Sequence, residues 1–441
     1  MLNRIFAAQK KSWAANIMRR LTSMVDIDFP QKRKVVIRDI IRLAREKYVY
    51  PETGEKIALQ IEAKLEDGAY DDITQESDLA SRLTTDLQSI SSDRHWCVVF
   101  DPKGAAVQVN PESEADKARK SRYLETARKT NYGFERVEHL KGNIGYIDLR
   151  RFEPSEYGGE TAVAAMNFIA NCDALIIDLR QNHGGHPSMV QLIASYLYDP
   201  EPRHINTFYY RPTNDTHQFW TFPHVPGKRR PDILVYVLIS GATGSAAEGF
   251  SYFLKCMDRA TLIGETTIGA AHPANDEIVQ GDFVVSLPYG RSISPITGSN
   301  WEGAGVEPHI MVPAEEALKT AHLHAMEQLA GKCQNEDQRN ELKWMVEIVA
   351  SDYSPVVLDE ADLFPCIGEF GKRKFMVKNG WLFYGHMDSS EDWKLLPMTK
   401  TRFRLDEDMK FEFVLGKDGK ASKVKISYRD GSANVISNRT G

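Results

Sequence analysis

The chain has 441 residues, of which 42% are hydrophobic, and this is enough for about two or three domains with a substantial core. Its net charge of −6 and pI near 6.1, without a long basic stretch, disfavour nucleic-acid binding. The five cysteines are odd in number and widely spaced, with no CxxC pair and no zinc spacing. We therefore expect free thiols and no metal site.

The N-terminal segment from Met1 to Met24 is basic and amphipathic, with no acidic residue before Asp26. It lacks the long apolar run of a secretory signal or a membrane span, so no stable membrane insertion is predicted. A surface helix is the default prediction, and a transit-type peptide or weak membrane-surface contact are the alternatives. The cytoplasm is the default location on these grounds.

The first predicted unit, residues 1–92, is a helical module. From Phe29 to Ile90 the apolar residues recur at helical spacing. A short strand is predicted from Trp96 to Phe100, followed by a polar, charged stretch through Arg122 that is too brief for another domain of ordinary size.

The second predicted unit, residues 93–332, alternates strands with helices and therefore indicates an α/β core. Its predicted elements, in chain order, are strand Ile144 to Leu149, helix Thr161 to Ala170, strand Ala174 to Leu179, helix Ser188 to Tyr198, strand Ile233 to Ile239, helix Ala246 to Cys256, strand Ala260 to Ile263, a hairpin from Phe283 to Ile293 and a closing helix from Ala314 to Leu329. The third unit, residues 333–441, has alternating apolar residues and Asn-Gly or Asp-Gly turns after Phe375, which predict a small domain of antiparallel hairpins.

Ser245 stands where an uncharged, buried strand gives way to a helix, in the stretch from Gly241 to Glu248. The unpaired N–H groups of the first helical turn could hold an oxyanion, so a serine at this point could be a nucleophile. The alternative is structural, because Ser245 and Glu248 also fit the capping-box pattern.

The loop after the strand that ends at Leu179 contains Gly184 and Gly185. Paired glycines allow a sharp turn that exposes N–H groups, and these groups could complete an oxyanion hole. A flexible connection capped by Ser188 explains the same residues without any chemistry.

His95, just before a predicted strand, could be the general base for Ser245. Four of the other histidines compete for this role, and spacing does not choose among them: His183, His186, His272 and His309. Glu302 lies in a glycine-containing loop and could orient the histidine, although an isolated glutamate is usually only solvated. No phosphate loop, dinucleotide fingerprint or G-x-S-x-G elbow is present in the sequence, since Thr243 occupies the first glycine of that elbow.

Four motifs, in this order, resemble the tail-specific (C-terminal processing) serine peptidases, and specifically their interphotoreceptor retinoid-binding-protein-like and tricorn-core branch. The likeness extends from about Asp28 to Leu329 and rests on Asp178-Leu179-Arg180 with Asn182-His183-Gly184-Gly185, on Ser245-Ala246-Ala247-Glu248-Gly249-Phe250, on Gly264-Glu265-Thr266-Thr267, and on Trp301-Glu302-Gly303-Ala304-Gly305-Val306-Glu307-Pro308.

The resemblance implies a crotonase/ClpP-like spiral core, preceded by the helical module and followed by the small antiparallel β domain. It also implies that Ser245 is the nucleophile, with His95 and Glu302 at the histidine and glutamate positions of the tricorn-like branch. We expect the oxyanion donors to be the N–H of Ala246 and that of Gly184 or Gly185. Substrate contacts are expected from His183, His186 and His272.

The sequence departs from the family pattern at several places. Members with a Ser/Lys dyad have a lysine shortly after the Gly-Glu-x-Thr motif, where this chain has Gly269-Ala270-Ala271-His272. The interval from Pro102 to Leu140 is too short for the peptide-binding PDZ domain. Arg94 stands where the tricorn-like branch has a serine, and His183 replaces the small residue usual before the double glycine.

The sequence thus predicts a serine peptidase that hydrolyses peptide or protein substrates through an acyl-enzyme on Ser245, without a metal or an organic cofactor. The alternative is a non-catalytic carrier of an apolar ligand, a retinoid or a fatty acid, on the same fold. A third possibility is a scaffold in which Ser245 is only a helix cap.

Overall fold

The fold is given by a computed structural model that describes residues 28–103, 105, 114–432 and 434–441. The segment from Met1 to Met24, for which a surface helix is predicted, lies outside the described residues. Within the described ranges, no helix is both long enough and apolar enough to cross a membrane. The chain is a mixed α/β protein, as the sequence predicts.

The helices, numbered in chain order, are α1 (Phe29–Lys47), α2 (Pro51–Glu66), α3 (Glu76–Ser91), α4 (Glu114–Lys129), α5 (Ser155–Phe168), α6 (Pro187–Ser195), α7 (Ala246–Cys256), α8 (Ala317–Lys332), α9 (Glu336–Tyr353) and α10 (Glu360–Leu363). The strands are β1 (Cys97–Phe100), β2 (Phe134–Leu140), β3 (Ile144–Leu149), β4 (Ala174–Asp178), β5 (His204–Tyr210), β6 (Asp215–Trp220), β7 (Leu234–Ile239), β8 (Thr261–Gly264), β9 (Ala274–Val279), β10 (Phe283–Pro288), β11 (Gly290–Ile293), β12 (Ile310–Met311), β13 (Gly368–Phe370), β14 (Arg373–Lys378), β15 (Trp381–His386), β16 (Asp392–Lys394), β17 (Leu396–Pro397), β18 (Arg402–Arg404), β19 (Met409–Leu415), β20 (Ala421–Tyr428) and β21 (Val435–Asn438).

The central sheet has six strands in the order β12-β8-β7-β4-β3-β2. All neighbouring pairs are parallel except β2 with β3, which form an antiparallel hairpin at one edge. The middle strands β3 and β4 are buried along their whole length, as expected of a parallel sheet that is covered on both faces. Their nearly continuous apolar runs follow from this double burial.

One face of the central sheet packs on α5, α6 and α7 through a large apolar cluster that includes Leu175, Val237 and Phe250. The other face packs on α8 and α9, whose Met326 and Val349 lie in a cluster with Tyr146 and other residues of the sheet. Helix α9 was not predicted from the sequence. The domain boundary at residue 332 stays a prediction. Helix α9, which the sequence analysis assigned to the third unit, packs against the core of the second unit.

The helical module of α1, α2 and α3 packs on a small antiparallel sheet with the order β1-β10-β9. Both β1 and β9 run antiparallel to β10, so they run parallel to each other, and both begin at the same end of the sheet. The turns that precede β1 and β9 are therefore brought close together. Asp93 and His272, one from each turn, are in contact although they are 179 positions apart in the chain.

The predicted hairpin from Phe283 to Ile293 is wrong. Strand β10 pairs with β1 and β9, whereas β11 pairs with β5 in a different sheet. Only Tyr289 separates the two strands, and one residue is too short for a hairpin turn. The alternating pattern correctly predicts extended structure but does not identify the strand partners.

The last part of the chain folds into two antiparallel sheets, β13 to β16 and β17 to β21, around the aromatic residues Phe370, Phe375 and Phe413. It contacts α9 through polar groups. The ammonium of Lys410 lies 2.7 Å from Glu347, and the indole N–H of Trp344 donates to the carbonyl of Glu407 over 2.7 Å.

Candidate active site

The candidate site lies at the carboxyl edge of the central sheet, where β4 and β7 are neighbours. The loop after β4 carries Gly184 and Gly185, and the loop after β7 leads into Ser245 and α7. Because parallel strands end at the same edge, these two loops meet there. They are joined by several bonds, among them Gly244 N–H to the carbonyl of Asn182 at 3.0 Å and Thr243 Oγ1 to that of Leu179 at 2.9 Å.

Ser245 has a backbone conformation that a serine rarely adopts, with φ 51° and ψ −117°. This conformation is held by Glu248, which is fully buried and accepts the Ser245 N–H at 2.7 Å. A strained residue held by its surroundings is frequent at functional sites. The bond also fits half of the predicted capping box, so Ser245 begins α7 whatever its chemistry.

Glu248 joins the serine to the next loop of the sheet. Its carboxylate also accepts from Thr267 Oγ1 at 2.6 Å, Gly269 N–H at 2.6 Å and Ala270 N–H at 3.0 Å. Burial raises the pKa of this carboxyl, and the same hydrogen bonds oppose that rise. The sequence indicated Glu248 only as a capping residue, because its partners after β8 become neighbours only in the folded chain.

The predicted oxyanion donors are the backbone N–H groups of Gly184, Gly185 and Ala246. The N–H of Gly184 already donates to the side chain of Asn182 over 2.8 Å. The N–H of Ala246 is in the first turn of α7 and has no intrahelical acceptor. The bonds of the described residues include none from the N–H of Gly185. Gly185 and Ala246 thus have N–H groups that no hydrogen bond among the described residues occupies.

Ser245 and His95 line the same small cavity, with a volume of about 300 Å³. The other residues that line it are Gln88, Arg94, His183, Gly244, Ile268 and Ala270. His183 is fixed by a contact of 3.0 Å between its Nδ1 and the carbonyl of Ala242. Among the residues that the structure describes, no carboxylate lines the cavity, and Arg94 is its one fully charged side chain.

Asp93 is the carboxylate nearest to the ring of His95. Its Oδ1 accepts the backbone N–H of His95 at 3.0 Å and lies 3.7 Å from the ring Nδ1. Its Oδ2 receives the hydroxyl of Tyr48 at 3.2 Å and contacts Nδ1 of His272 at 2.7 Å. Burial opposes the charge of Asp93, but its hydrogen bonds to His272 and His95 hold its pKa below the ordinary value.

Glu302 approaches the same ring nitrogen of His272 as Asp93 does. Its Oε2 is 3.5 Å from His272 Nδ1 and accepts the N–H of Ala271 at 2.6 Å. Burial, followed by the charge of Asp93, raises the pKa of Glu302. Among the described side chains, Glu302 and His95 form no ion pair within 4 Å, although the sequence predicts that they interact. The charge of Glu302 acts on His95 from a greater distance.

The three histidines expected to contact substrate differ in position. His183 lines the cavity, whereas His186 caps α6, since its Nδ1 accepts the N–H of Ser188 at 3.2 Å. This cap belongs to His186 and not to Ser188, the residue that the sequence indicated. His272 is 2% exposed and bonded to Asp93, and it is not among the residues that line the cavity.

Asp93, His272 and Glu302 offer ligand atoms that all lie within 4.8 Å of one another, which is close enough for a metal ion. The Asp93 to His272 hydrogen bond already accounts for the approach of two of them. The cluster is thus explained as a hydrogen-bonded group of the protein itself.

The arrangement combines a serine on a strained turn, a histidine in the same cavity, a buried carboxylate next to that histidine and the unbonded N–H of Ala246, which follows the serine. Acyl transfer requires groups of these kinds: a nucleophile, a base, a group that orients the base, and donors for a developing oxyanion. The sequence indicated Ser245, His95 and the candidate donors. It gave no role to Asp93, for which the only signal was a carboxylate two residues before His95.

Two family models match parts of this chain. The family model described as "Peptidase family S41" matches residues 143–312, and the one described as "N-terminal domain of Peptidase_S41 in eukaryotic IRBP" matches residues 22–131. The N-terminal-domain match ends before β2. The Peptidase family S41 match begins at the turn into β3 and contains both loops that meet at Ser245.

Solved structures of low sequence identity are also similar to this chain. A putative peptidase from Parabacteroides merdae has 16% identity and a TM-score of 0.46, over 65% of this chain and 92% of that one. A lipoprotein from Streptococcus agalactiae has 11% identity and a TM-score of 0.42, over 67% and 96%. The photosystem II D1 C-terminal processing protease has 14% identity and a TM-score of 0.41, over 64% and 94%. Similarities of this size do not themselves indicate an activity.

Proposed function

Because the chain belongs to peptidase family S41, we propose that it is a serine peptidase of the tail-specific type that cleaves peptide or protein substrates through an acyl-enzyme on Ser245. The observation that carries the proposal is the cavity that Ser245 and His95 both line. A core of the crotonase/ClpP type is part of the same proposal, and the parallel central sheet supports it.

In the proposed reaction, Ser245 Oγ attacks the scissile carbonyl carbon while His95 takes the hydroxyl proton. His95 then gives this proton to the leaving amine as the C–N bond breaks. Water, deprotonated by the same histidine, attacks the acyl-enzyme and releases the new carboxyl terminus. Glu302 is proposed to favour the charged form of His95 through its negative charge, which is the Ser-His-Glu arrangement that the resemblance implies.

The oxyanion of the tetrahedral intermediate would be held by Ala246 N–H and Gly185 N–H. Each such donor is worth about 3 kcal/mol of transition-state stabilisation in comparable sites. Gly184 then contributes by its small size, since its own N–H is bound to Asn182.

The carriage of an apolar ligand is not favoured. The cavity, with a volume of about 300 Å³, is at the lower end of the range for ligand pockets, and its lining includes Gln88, Arg94 and two histidines besides Ile268 and Ala270. A retinoid or fatty-acid site is expected to be mostly apolar.

The test is a fluorophosphonate probe together with a fluorogenic peptide library, applied to the wild type, Ser245→Ala and Ser251→Ala. Ser251 is a matched control because it is buried in the same helix, where its hydroxyl donates to the carbonyl of Ala247 over 2.8 Å. We expect labelling and turnover in the wild type and in Ser251→Ala, and neither in Ser245→Ala with an unchanged circular dichroism spectrum. Equal turnover in Ser245→Ala would refute the proposal.

A further inference from the structure

The side chain of Asp93 is only 1% exposed, and yet this carboxylate lies beside His95, which lines the cavity of Ser245. Both carboxylate oxygens are held: Oδ1 by the backbone N–H of His95, and Oδ2 by Tyr48 and His272. A buried carboxylate is stable only when it is paired and hydrogen-bonded in this way. Three separate chain segments therefore fix the carboxylate beside the ring of His95.

His272 is fixed as tightly as Asp93. Its ring packs edge-on against Tyr50 with centroids 5.4 Å apart, and its Nδ1 faces both Asp93 and Glu302. When Nδ1 carries a proton, it donates this proton to the carboxylate of Asp93. One nitrogen of His272 thus faces both carboxylates and is closer to Asp93, at 2.7 Å, than to Glu302, at 3.5 Å.

We infer that Asp93, held by Tyr48 and His272, is the positioning residue for His95, and that Glu302 acts on His95 by its charge alone, from a greater distance. This inference rests on the proposed function of Ser245 and His95 and assigns the orienting role within it. The 3.7 Å between Asp93 Oδ1 and His95 Nδ1 is slightly longer than a hydrogen bond. Such distances in a free enzyme are often long and tighten in the substrate complex.

The charges around His95 favour this assignment. The groups around it come from several elements. They are Asp93 in its own turn, His272 from the turn before β9, Glu302 from the loop between β11 and β12, Tyr48 from the end of α1, and Arg94 and His183 at the cavity. Hydrogen bonds from His272 and His95 keep the pKa of Asp93 low despite burial, whereas burial and Asp93 raise that of Glu302. Asp93 therefore keeps its negative charge to lower pH than Glu302 does, and it is also the carboxylate nearer to His95.

The first test compares kcat, KM and the pH profile of kcat/KM for Asp93→Asn and Glu302→Gln. Asp86→Asn is a matched control, since Asp86 is another buried aspartate with a tyrosine partner, Tyr70, at 2.9 Å, but it does not line the cavity. We expect Asp93→Asn to lower kcat by ~10²-fold or more with little change in KM, and to move the acidic limb of the profile to lower pH. Glu302→Gln should have the smaller effect, and Asp86→Asn should leave the profile in place.

Two further variants keep the test decisive if Asp93→Asn fails to fold. Tyr48→Phe removes one hydrogen bond to Asp93 but keeps the ring that stacks on Trp96 at 5.6 Å, so a several-fold loss in kcat is expected. Asp93→Glu retains the charge and should recover part of the activity lost in Asp93→Asn. A loss in Glu302→Gln larger than those in both Asp93→Asn and Tyr48→Phe would overturn the inference.

The second test does not need turnover and separates this inference from the proposed function. In the Ser245→Ala background, the ring signals of His95 are followed by NMR as a function of pH, with and without Asp93→Asn or Glu302→Gln. Loss of the nearby negative charge should move the His95 midpoint to lower pH, and more so for Asp93→Asn. If Glu302→Gln moved the His95 midpoint further than Asp93→Asn did, the inference would be contradicted, even if Ser245 proved catalytic. If Asp93→Asn gave the larger movement, the inference would be supported, even if no peptide were cleaved.

Discussion

Gly184 and Ser245 lie so close together that a Cβ atom added to Gly184 would come within 2.7 Å of the Cβ of Ser245 and 2.9 Å of the Ala246 nitrogen. Gly184 also has φ +107°, which side-chain-bearing residues rarely adopt. The double glycine is therefore required for two independent reasons, backbone conformation and close approach.

We expect Gly184→Ala to reduce kcat/KM by more than tenfold, because the added methyl group would displace Ser245 or the Ala246 N–H. Stability should fall by at least about 1–2 kcal/mol from the positive φ alone. Steady-state kinetics and thermal melting measure the two effects.

The control for this change is Gly380→Ala. Gly380 has φ +76°, but an added Cβ would meet nothing within 4 Å, and the residue lies in the turn between β14 and β15. It should lose a similar amount of stability from the backbone and none of the activity. Full activity in Gly184→Ala would show that the two loops separate more easily than their contacts indicate.

Arg94 should set a charge preference in the substrate. It is exposed, it lines the cavity, and none of the ion pairs of the described residues includes it. An unpaired positive charge favours a nearby carboxylate on the peptide, by roughly fivefold at such an exposed site. We expect kcat/KM to be higher for peptides with Glu than for matched peptides with Gln or Lys next to the scissile bond.

The matched variants are Arg94→Gln, which should abolish the preference, and Arg94→Glu, which should reverse it. High salt should weaken the preference in the wild type, since exposed charges are screened. An unchanged Glu to Lys ratio in Arg94→Glu would exclude this role. Peptide binding to Ser245→Ala provides the same comparison without turnover.

Glu347 should stabilise the contact between α9 and the C-terminal sheets. The ammonium of Lys410, a residue only 8% exposed, lies 2.7 Å from Glu347 and 3.4 Å from the ring centroid of Trp344. In Glu347→Gln the buried ammonium loses its charged partner. We expect a cost of about 1–2 kcal/mol after allowance for the partial exposure of Glu347.

Glu341→Gln is the comparison for this prediction. Glu341 pairs with Arg429 across the same pair of elements at 2.5 Å, but both side chains are more than a third exposed. Such a surface pair contributes ~0–1 kcal/mol. The melting temperature of Glu347→Gln should therefore be lower than that of Glu341→Gln, and the reverse order would refute the argument.

The acid stability of the helical module should depend on Asp86. Burial opposes its charge, but the bonds from Lys64 and Tyr70 hold its pKa below the ordinary value of an aspartate. A lowered pKa in the folded state means that the stabilisation is present above about pH 4 and is lost as the pH falls through the folded value. The difference in melting temperature between the wild type and Asp86→Asn should shrink below pH 4, and a constant difference would contradict this.

The sequence also predicted much of the local structure. Apolar runs in β3, β4 and β7 predict buried strands because each strand is covered on both faces, and helical spacing predicts α1 to α3 for the same local reason. Helix α4 and the β5–β6 hairpin have no such pattern. Helix α4 is rich in charge and most of its described residues are exposed, and every residue of β6 except Phe219 is exposed. Weakly amphipathic elements leave no periodicity in the sequence.

What the sequence by itself determined is the local chemistry: a serine at the start of a helix, two glycines in a strand-to-helix loop, and a histidine before a strand. The order of those motifs also indicated the family. Local pattern could not determine distance, and so the tertiary structure decided which groups meet. The parallel order of β1 and β9 on either side of β10 brings His272 to Asp93 and places Asp93, rather than Glu302, nearest to His95. That contact joins residues 179 positions apart, and no spacing rule along a chain encodes it.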